Sequence, residues 1–482
     1  MRGTIITPLI LIAIGGLLLL NNLNPEISIW SLIVRYWPYL LIIWGALRAA
    51  EILIQFTRQK PLPTRGISGG EWALIVFFTL SGSAFLFGTD MRDRIRSGRL
   101  GMRGLQIFGE SYDYPFSGNL DAPANARIIV ENRRGNVRIV GSETNKINVS
   151  GHYSIRALDR PAADLIHKRM NLELSNQGAQ FVIRTNQEKA DLDSSVDADM
   201  EIQVPKGVSV ECRGVYGDFD VSQISGDLEV KSDNAGVRGQ DIGGKARIDL
   251  NRSDIIRLVR VKGSVDLKGR RAGDVELDEI SGPVTVDGAF DDLDFRRLVA
   301  GLRFTSNQTD LQVDKILGRL HTSGGEMDGD DLSGTFRLRS KSKDLRLSNF
   351  DGPLDIDLNR GDIELAPGRP AFAMMNVKTS GGEVTLHLPE NAKYDLLART
   401  EKGEVENDFG MPLRREEYDR GGSITGSNGG PKLLLETRRG AIRVQRGGLL
   451  SLSRPDRVST LPPVPPVPPA PKVPKIPGVV EQ

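Results

Sequence analysis

Between residues 218 and 365 the chain repeats a short pattern of alternating apolar and charged residues. Stretches such as ISGDLEV (224–230) and RAGDVEL (271–277) contain a glycine–aspartate pair, followed by apolar residues at every second position. Because the side chains of a β-strand point alternately to opposite faces, this pattern predicts short strands with one buried face and one face in water.

Two sets of corner residues separate the predicted strands. One set consists of glycines with successive spacings of 18, 19, 19, 19, 17, 16 and 18 residues: Gly226, Gly244, Gly263, Gly282, Gly301, Gly318, Gly334 and Gly352. The other set, rich in aspartate, lies half a period away: Asp218, Gly236, Asp254, Asp274, Asp292, Asp310, Asp328, Asp344 and Asp362. An internal repeat of about 20 residues is typical of solenoids. We therefore predict an all-β fold, a β-solenoid with turns of about 18 residues, each holding two strands and two corners.

The alternation also predicts the core and the corner conformations. Apolar residues follow the glycines at positions +2 and +4 and the aspartates at +1 and +3. Four phenylalanines are thereby placed inside: Phe219, Phe295, Phe304 and Phe336. Glycine adopts φ > 0 freely and aspartate can bond to its own turn, so we expect both features at the corners. GLRF at 301 and MDGD at 327 break the pattern and indicate a bulge or an irregular turn.

The first 90 residues have a different character. Three long apolar runs occupy residues 4–23, 36–56 and 71–88, and all four tryptophans lie within the first 72 residues. Twenty apolar residues in a helix span about 30 Å, the hydrocarbon thickness of a bilayer. We therefore predict a three-helix transmembrane anchor within residues 1–90, which makes the chain a multi-pass membrane protein with the lipid bilayer as a partner.

The rest of the chain divides into three predicted regions. Residues 91–124 form a juxtamembrane linker, residues 125–446 the solenoid with irregular caps, and residues 447–482 a proline-rich disordered tail. Within the caps, residues 160–170 predict a short helix and residues 433–445 a closing pair of strands. An N-terminus inside the cell places the solenoid outside the cytoplasm, although the count of basic residues, four inside against six outside, favours the opposite orientation.

Composition and motifs give no support for catalysis. The formal net charge is +1, so nothing in the overall balance suggests a nucleic-acid partner. Cys212 is the only cysteine, and we expect it to be a small buried apolar residue. The four histidines are scattered without metal-ligand spacing: His152, His167, His321 and His387. No catalytic, cofactor-binding or metal-binding residue is predicted, and we interpret the aspartates as corner residues rather than calcium ligands.

Short motifs carry two resemblances. Residues 125–446 resemble a bacterial family of adhesin-like β-strand repeats of unknown function (DUF4097-like), which ISGDLEV and RAGDVEL match closely. The segments GGLLLLNNL (15–23) and YWPYLLIIWGAL (36–47) are similar to the small transmembrane domain of LiaF-type envelope-stress proteins. The resemblances imply a protein of the bacterial plasma (inner) membrane and cell envelope, and neither family lends catalytic residues.

We therefore predict a membrane-anchored, non-catalytic β-solenoid protein for binding, adhesion or sensing at the cell envelope. Its partner would be an envelope protein or polymer, and self-association is a further option. The basic run RLRSKSKDLR (337–346) marks a candidate binding face: Arg337, Arg339, Lys341 and Lys343. Two alternatives stay open, a β-helical polysaccharide lyase and a self-assembling, bactofilin-like scaffold.

Overall fold

A computed structural model of the chain describes residues 109–178, 180–190, 196–368 and 373–447. The predicted transmembrane spans, most of the predicted linker and the proline-rich tail lie outside these residues. Within the described part, no helix is long and apolar enough to cross a membrane. That part contains twenty-nine β-strands, a short 3-10 helix and one α-helix, α1 (Arg160–His167), which confirms the predicted all-β class.

The strands follow one another along the chain in four groups. The first group is β1 (Glu110–Asp121), β2 (Arg127–Arg134), β3 (Val137–Ser142), β4 (Lys146–Ala157), β5 (Glu173–Gln177), β6 (Gln180–Arg184) and β7 (Val196–Pro205). The second is β8 (Ser209–Tyr216), β9 (Phe219–Ile224), β10 (Leu228–Asn234), β11 (Val237–Ile242), β12 (Ala246–Val261), β13 (Val265–Ile280), β14 (Val284–Phe290), β15 (Leu293–Leu298) and β16 (Leu302–Thr305).

The third group is β17 (Thr309–Thr322) and β18 (Glu326–Ser340). The fourth is β19 (Asp344–Phe350), β20 (Leu354–Leu358), β21 (Ile363–Ala366), β22 (Met375–Thr379), β23 (Val384–Leu388), β24 (Asp395–Lys402), β25 (Val405–Asn407), β26 (Arg414–Glu417), β27 (Gly422–Ser427), β28 (Lys432–Arg439) and β29 (Ile442–Arg446).

Within the second group, strands in successive turns pair in parallel. Ala246 is the register partner of Val265, and Val265 is the partner of Val284, so these turns of 19 residues stack directly on one another. Face A contains β8, β10, β14 and β16, and face B contains β9, β11 and β15. The strands β12 and β13 bend through the A–B corner, where the chain passes from face A to face B, and belong to both faces. The inward side chains of both faces form one core, which includes the four predicted phenylalanines.

One turn of the coil runs in the opposite direction. The strand β17, which we call the reversed turn, pairs antiparallel with β16 on face A, with β15 on face B and with β18 on both faces. It lies between two hairpins, at residues 306–308 and 323–325. The strand β18 pairs in parallel with β19 and β20, which resume the original direction.

The reversed turn explains the predicted irregularities at 301 and 327 and corrects one assignment. Leu311 and Val313 are buried as predicted, but they lie opposite Phe304 and Leu302 on face A, not on face B. Alternation with a period of two reads the same in either chain direction, so the pattern alone does not reveal a reversal.

At both ends of the coil the order in space differs from the order in the chain. The pair β2/β3 lies between β6/β7 and β8/β9, and the pair β28/β29 lies between β22/β23 and β24/β25. The predicted closing strands are therefore covered by a further turn. Residues 110–121, assigned to the linker by the sequence prediction, form β1 and pair antiparallel with β4, because Tyr112, Tyr114 and Phe116 alternate in a strand-like way.

Face B contains a regular backbone feature that the sequence prediction missed. One residue near the end of a face B strand adopts φ between 48° and 59°: Gln223, Asp241, Arg260, Glu279, Arg297, Asp331 and Asn349. The residue that follows, such as Ile280 after Glu279, is buried although the two-residue alternation would place it on the exposed face. These seven residues stack from turn to turn on either side of the reversed turn, and we call them the left-handed ladder. Side chains of neighbouring members bond to each other, as when Arg260 Nε donates to Asp241 Oδ1 at 2.6 Å. These bonds offset part of the cost of the left-handed conformation, about 1 kcal/mol per residue.

The corner glycines serve a different purpose from the one predicted. Only Gly301 and Gly334 of the eight have φ in the left-handed region, at 94° and 81°. At the others the constraint is space, because a Cβ atom on Gly282 would lie 2.4 Å from the carbonyl oxygen of Gly263 in the previous turn. Two of the eight, Gly318 and Gly334, lie within β17 and β18 rather than between strands.

We expect Gly282→Ala to lower the free energy of unfolding of the β domain (109–447) by about 2 kcal/mol, because the backbone of the previous turn must move to admit the methyl group. Urea unfolding followed by circular dichroism measures the change. The control is Thr285→Ser, an exposed position three residues away, with an expected change of less than about 0.5 kcal/mol. Equal effects of the two substitutions would contradict the close approach of the turns.

Candidate binding surface

Most charges on the outer surface of face A are neutralised by their neighbours. Lys268 has Asp249 and Asp287 as its register partners on the strands at either side. Ion pairs join Arg247 to Asp266 at 3.6 Å and Arg399 to Glu436 at 2.9 Å. Opposite charges on neighbouring strands stabilise a sheet modestly. Stabilisation of the fold is therefore a sufficient explanation for these charged residues.

Four exposed cations near the reversed turn form no ion pair with any described residue, and we call them the cationic patch: Arg303, Arg337, Arg339 and Lys341. Arg339 has Asp310 and Asp357 as its register partners, whereas Arg303 has no acidic register partner. Gln312 of β17 is the register partner of both Arg303 and Arg337, so these arginines lie two strands apart, at about 10 Å. Asp355 is the partner of Arg337 on the other side, but its carboxylate accepts from Asn376 at 2.8 Å.

The structure corrects the predicted binding face at one position. Lys343 is only 7% exposed, and its ammonium group donates to the carbonyl oxygen of Ser323 in the hairpin between β17 and β18. Burial lowers the pKa of Lys343, and the charge of Asp292 partly offsets that effect. The strand β18 ends at Ser340, and the alternation that places Arg337 and Arg339 outside extends only as far as Lys341, so Lys343 turns inward at the A–B corner. Arg303 was not predicted, because its neighbourhood depends on the reversed turn.

An ion-pair cluster holds the reversed turn against face B. Asp294 of β15 accepts from Arg319 Nε at 2.9 Å and from Arg319 Nη2 at 2.7 Å, and Arg296 Nη2 also donates to it at 2.7 Å. The Asp294 side chain is 17% exposed. Burial raises the pKa of Asp294, but the bonds from Arg296 and Arg319 outweigh it and hold the pKa below its usual range.

The corner aspartates bond between turns more often than within them. Asp218 accepts from the N–H of Gly236 at 2.9 Å, one turn later, and Asp344 accepts from the N–H of Asp362 at 3.0 Å. Asp254 shows the predicted local bond, to the N–H of Ile255 at 3.0 Å. Asp218, Asp344 and Asp362, which accepts from the N–H of Glu383 at 2.8 Å, therefore connect successive turns of the coil. No group of three or more metal-ligating side chains occurs among the residues that the structure describes.

The cysteine and the histidines are part of the packing. Cys212 is fully buried, as predicted, and burial raises the pKa of its thiol. The ring of His167 stacks on Tyr114 with centroids 4.3 Å apart. His387 Nε2 lies 3.2 Å from Glu364 Oε1 across neighbouring turns of face B.

A buried polar cluster beside the first turns was not predicted. Its members are at most 4% exposed: Asn132, Thr185, Asn186 and Gln187. Asn132 Nδ2 donates to two carbonyl oxygens, and Gln187 Nε2 donates to two more. A cavity of about 250 Å³ lies beside the cluster, with three arginines in its lining: Arg133, Arg184 and Arg213. The bonds within the cluster satisfy its amides, so its evident role is to hold the N-terminal cap. Asn132 lies in β2 and the other three are consecutive residues after β6, so nothing in the sequence signals that they form one cluster.

Taken together, these features define a capped β-coil domain with one unpaired cationic patch. The chain belongs to the Toastrack DUF4097 family, whose model matches residues 125–445. Residues 6–92 match the LiaF transmembrane domain. Both matches confirm the resemblances found in the sequence, and the second identifies the chain as membrane-associated.

Solved structures with some likeness are named as candidate adhesins. They include a cell-adhesion candidate from Clostridium sporogenes, 10% identical with a TM-score of 0.15, covering 69% of this chain and 100% of that one. Another is from Parabacteroides merdae, 9% identical with a TM-score of 0.20, covering 68% of this chain and 95% of that one. A third, from Bacteroides fragilis, is 8% identical with a TM-score of 0.18, covering 69% and 97%. A comparison with the curated proteins finds no match.

We expect Asp294→Asn to lower the free energy of unfolding of the β domain by about 2 kcal/mol at pH 7, because it removes charge-assisted bonds from two arginines. The folded pKa of Asp294 is lowered, so its ionised form stabilises the fold above the unfolded pKa, about 4, and that stabilisation is lost as pH falls through the folded pKa.

The difference between wild type and Asp294→Asn should therefore narrow as the pH falls below about 4 in urea titrations at several pH values. The control is Asp310→Asn, on the exposed side of the reversed turn, with an expected change of less than about 0.5 kcal/mol. A difference for Asp294→Asn that stays constant from pH 7 to pH 3 would contradict the role of its charge.

Proposed function

We propose that this chain is a non-catalytic binding or sensing protein of the bacterial cell envelope, held in the plasma membrane by three helices. Its β domain lies outside the cytoplasm and contacts an acidic partner, either an envelope protein or a polymer, through the cationic patch. The match to the LiaF transmembrane domain supports the membrane attachment. The observation that carries the binding role is the patch itself.

The arginines of the cationic patch form no ion pairs with described residues that would stabilise the fold, unlike other arginines on face A. Arg247 and Arg399 on the same face stabilise the sheet through ion pairs, whereas Arg303, Arg337 and Arg339 have no such partner among the described residues. Exposed, unpaired cations on a rigid sheet attract acidic surfaces and set the rate and specificity of association more than its strength. A partner that presents carboxylates or phosphates would supply the missing counter-charges.

Two structural observations favour this function over the alternatives. A polysaccharide lyase uses exposed aromatic rings to bind sugars, but the four predicted phenylalanines of the coil are inside the core. The exposed tyrosines of the described part, Tyr216 and Tyr418, lie about 200 residues apart, one at the end of β8 near the first turns and one beside β26 in the C-terminal cap. A scaffold that grows end to end needs open sheet edges. The outermost strand of face A at the C-terminal end, β26, instead has the fully exposed and charged sequence RREE, which opposes edge-to-edge pairing.

The test is crosslinking with a membrane-impermeant reagent on intact cells. We expect wild type to be crosslinked to an envelope partner, and the variant R303E/R337E/R339E/K341E to lose that product because four attractive charges become repulsive. The matched control, K393E/K432E, reverses two exposed and unpaired lysines near the C-terminal end of the domain and should retain the product.

Each part of the proposal has an outcome that contradicts it. Modification of the β domain only after lysis would place it in the cytoplasm. Equal crosslinking of the four-charge variant and wild type would exclude the patch as the contact. Release of product from peptidoglycan or acidic glycans, abolished by one carboxylate substitution, would favour the lyase, and concentration-dependent filaments without a partner would favour the scaffold.

A further inference from the structure

A second cluster of unpaired arginines lies at the A–B corner of the two longest strands. Arg252 of β12 is the register partner of Arg271 of β13, and Arg270 precedes Arg271. All three are exposed, and we call them the corner triad. They are separate from the cationic patch, so a ligand bound by the triad is a role beyond the proposed function.

The corner triad is electrostatically uncompensated. Register partners on neighbouring strands lie about 5 Å apart, and like charges directly opposite destabilise a sheet. No guanidinium group of the triad bonds to any described residue. Of the acids closest in the chain, Asp249 and Asp274 form no ion pair with the triad, and Asp254 accepts from the N–H of Ile255 at 3.0 Å. Asp233, in the turn before, accepts from Asn251 at 2.6 Å.

The same two strands show the usual solution a few residues later. On face B, Arg257 of β12 pairs with Glu276 of β13 at 3.2 Å. At the corner the equivalent register pair is Arg252 beside Arg271, so like charges repel each other there, whereas opposite charges attract each other on face B.

The backbone beneath the triad is well defined. The strands β12 and β13 continue through the corner without a break, with Arg252 opposite Arg271 and Ser253 opposite Ala272. Ser253 Oγ donates to the carbonyl oxygen of Ile255 at 3.0 Å, and Ala272 is 4% exposed. The backbone thus holds the three arginine Cα atoms close together on a rigid support, and only the side chains need to be ordered by a ligand.

We propose that the corner triad binds a phosphate monoester group. One guanidinium fork already uses both oxygens of a carboxylate, whereas a phosphate monoester has three terminal oxygens in a tetrahedral arrangement. Such an anion accepts bonds from two or three arginines that approach from different directions, and its charge of nearly −2 compensates the repulsion between them. The same tetrahedral dianion chemistry is offered by inorganic phosphate in solution and by the monoester headgroup of phosphatidic acid.

The test uses the full chain in phosphatidylcholine nanodiscs, with inorganic phosphate as the soluble probe and acetate at equal ionic strength as the control anion. Phenylglyoxal modification of each arginine is followed by mass spectrometry. We expect phosphate to slow the modification of Arg252, Arg270 and Arg271 by about threefold or more, and to leave Arg337 and Arg339 unchanged. A second arm replaces part of the lipid by phosphatidic acid.

Protection by soluble phosphate assigns the free anion as the source, and protection only in the phosphatidic acid arm assigns the lipid headgroup. In Arg252→Ala and Arg252→Lys, we expect the protection of Arg271 to fall to the acetate level, because neither side chain offers a fork. Absence of protection in both arms, equal protection by acetate, or full protection in Arg252→Lys would overturn the proposal.

Discussion

The direct stacking of one backbone turn on the next is the constraint on which this structure depends. Parallel pairing repeats every 18 or 19 residues, so every turn must match its neighbours in length and in the position of its corners. At the corner that contains Gly244, Gly263 and Gly282, the turns approach so closely that a Cβ atom would meet the carbonyl of the turn before. Deviations from this spacing occur at the two hairpins, in the caps and in the turn from β20/β21 to β22/β23, where the spacing is 21 residues.

The stacking explains where charge is neutralised and where it is not. The strand register places a side chain of one turn directly beside a side chain of the next. Charges in such positions often alternate in sign from turn to turn, as with Lys268 between Asp249 and Asp287. The exceptions are local, at the cationic patch and at the corner triad. Neither set of arginines forms an ion pair with a described residue, which is why we propose ligands for both. The family match places this surface on a membrane-associated protein without naming what it binds.

The sequence predicted the period, the all-β class and most inward residues, because alternation and spacing report directly on which side chains are buried. It did not predict direction. Val313 alternates with Leu311 in the same way whether β17 runs forwards or backwards, and only tertiary pairing decides between the two. The sequence also did not show why glycine occupies the corners. Close approach of two turns and a positive φ both require glycine, so the residue alone does not distinguish them. The left-handed ladder did leave a trace, because Asp241 and Arg260 are 19 residues apart and opposite in charge.

For the candidate binding surface, the sequence likewise predicted the exposed side chains along one strand but not which strands lie side by side. Arg337 and Arg339 follow from alternation within β18, and Lys341 continues it one residue past the strand, whereas Lys343 is buried at the corner that follows. Arg303 joins them only through the antiparallel pairing of β16 with the reversed turn. Local pattern thus identifies the members on one strand, and the topology of the coil determines which other strand lies beside it.

The reversed turn is tested most directly by crosslinking pairs of introduced cysteines in the full chain with a short thiol-reactive reagent, since the native Cys212 is fully buried. The reversed turn places Gln312 beside Arg303 on face A. A coil of uniform direction would instead place Gln312 beside Asp330 on face B, one 18-residue turn later. The account predicts efficient crosslinking of R303C/Q312C and none of Q312C/D330C, and the opposite result would contradict it.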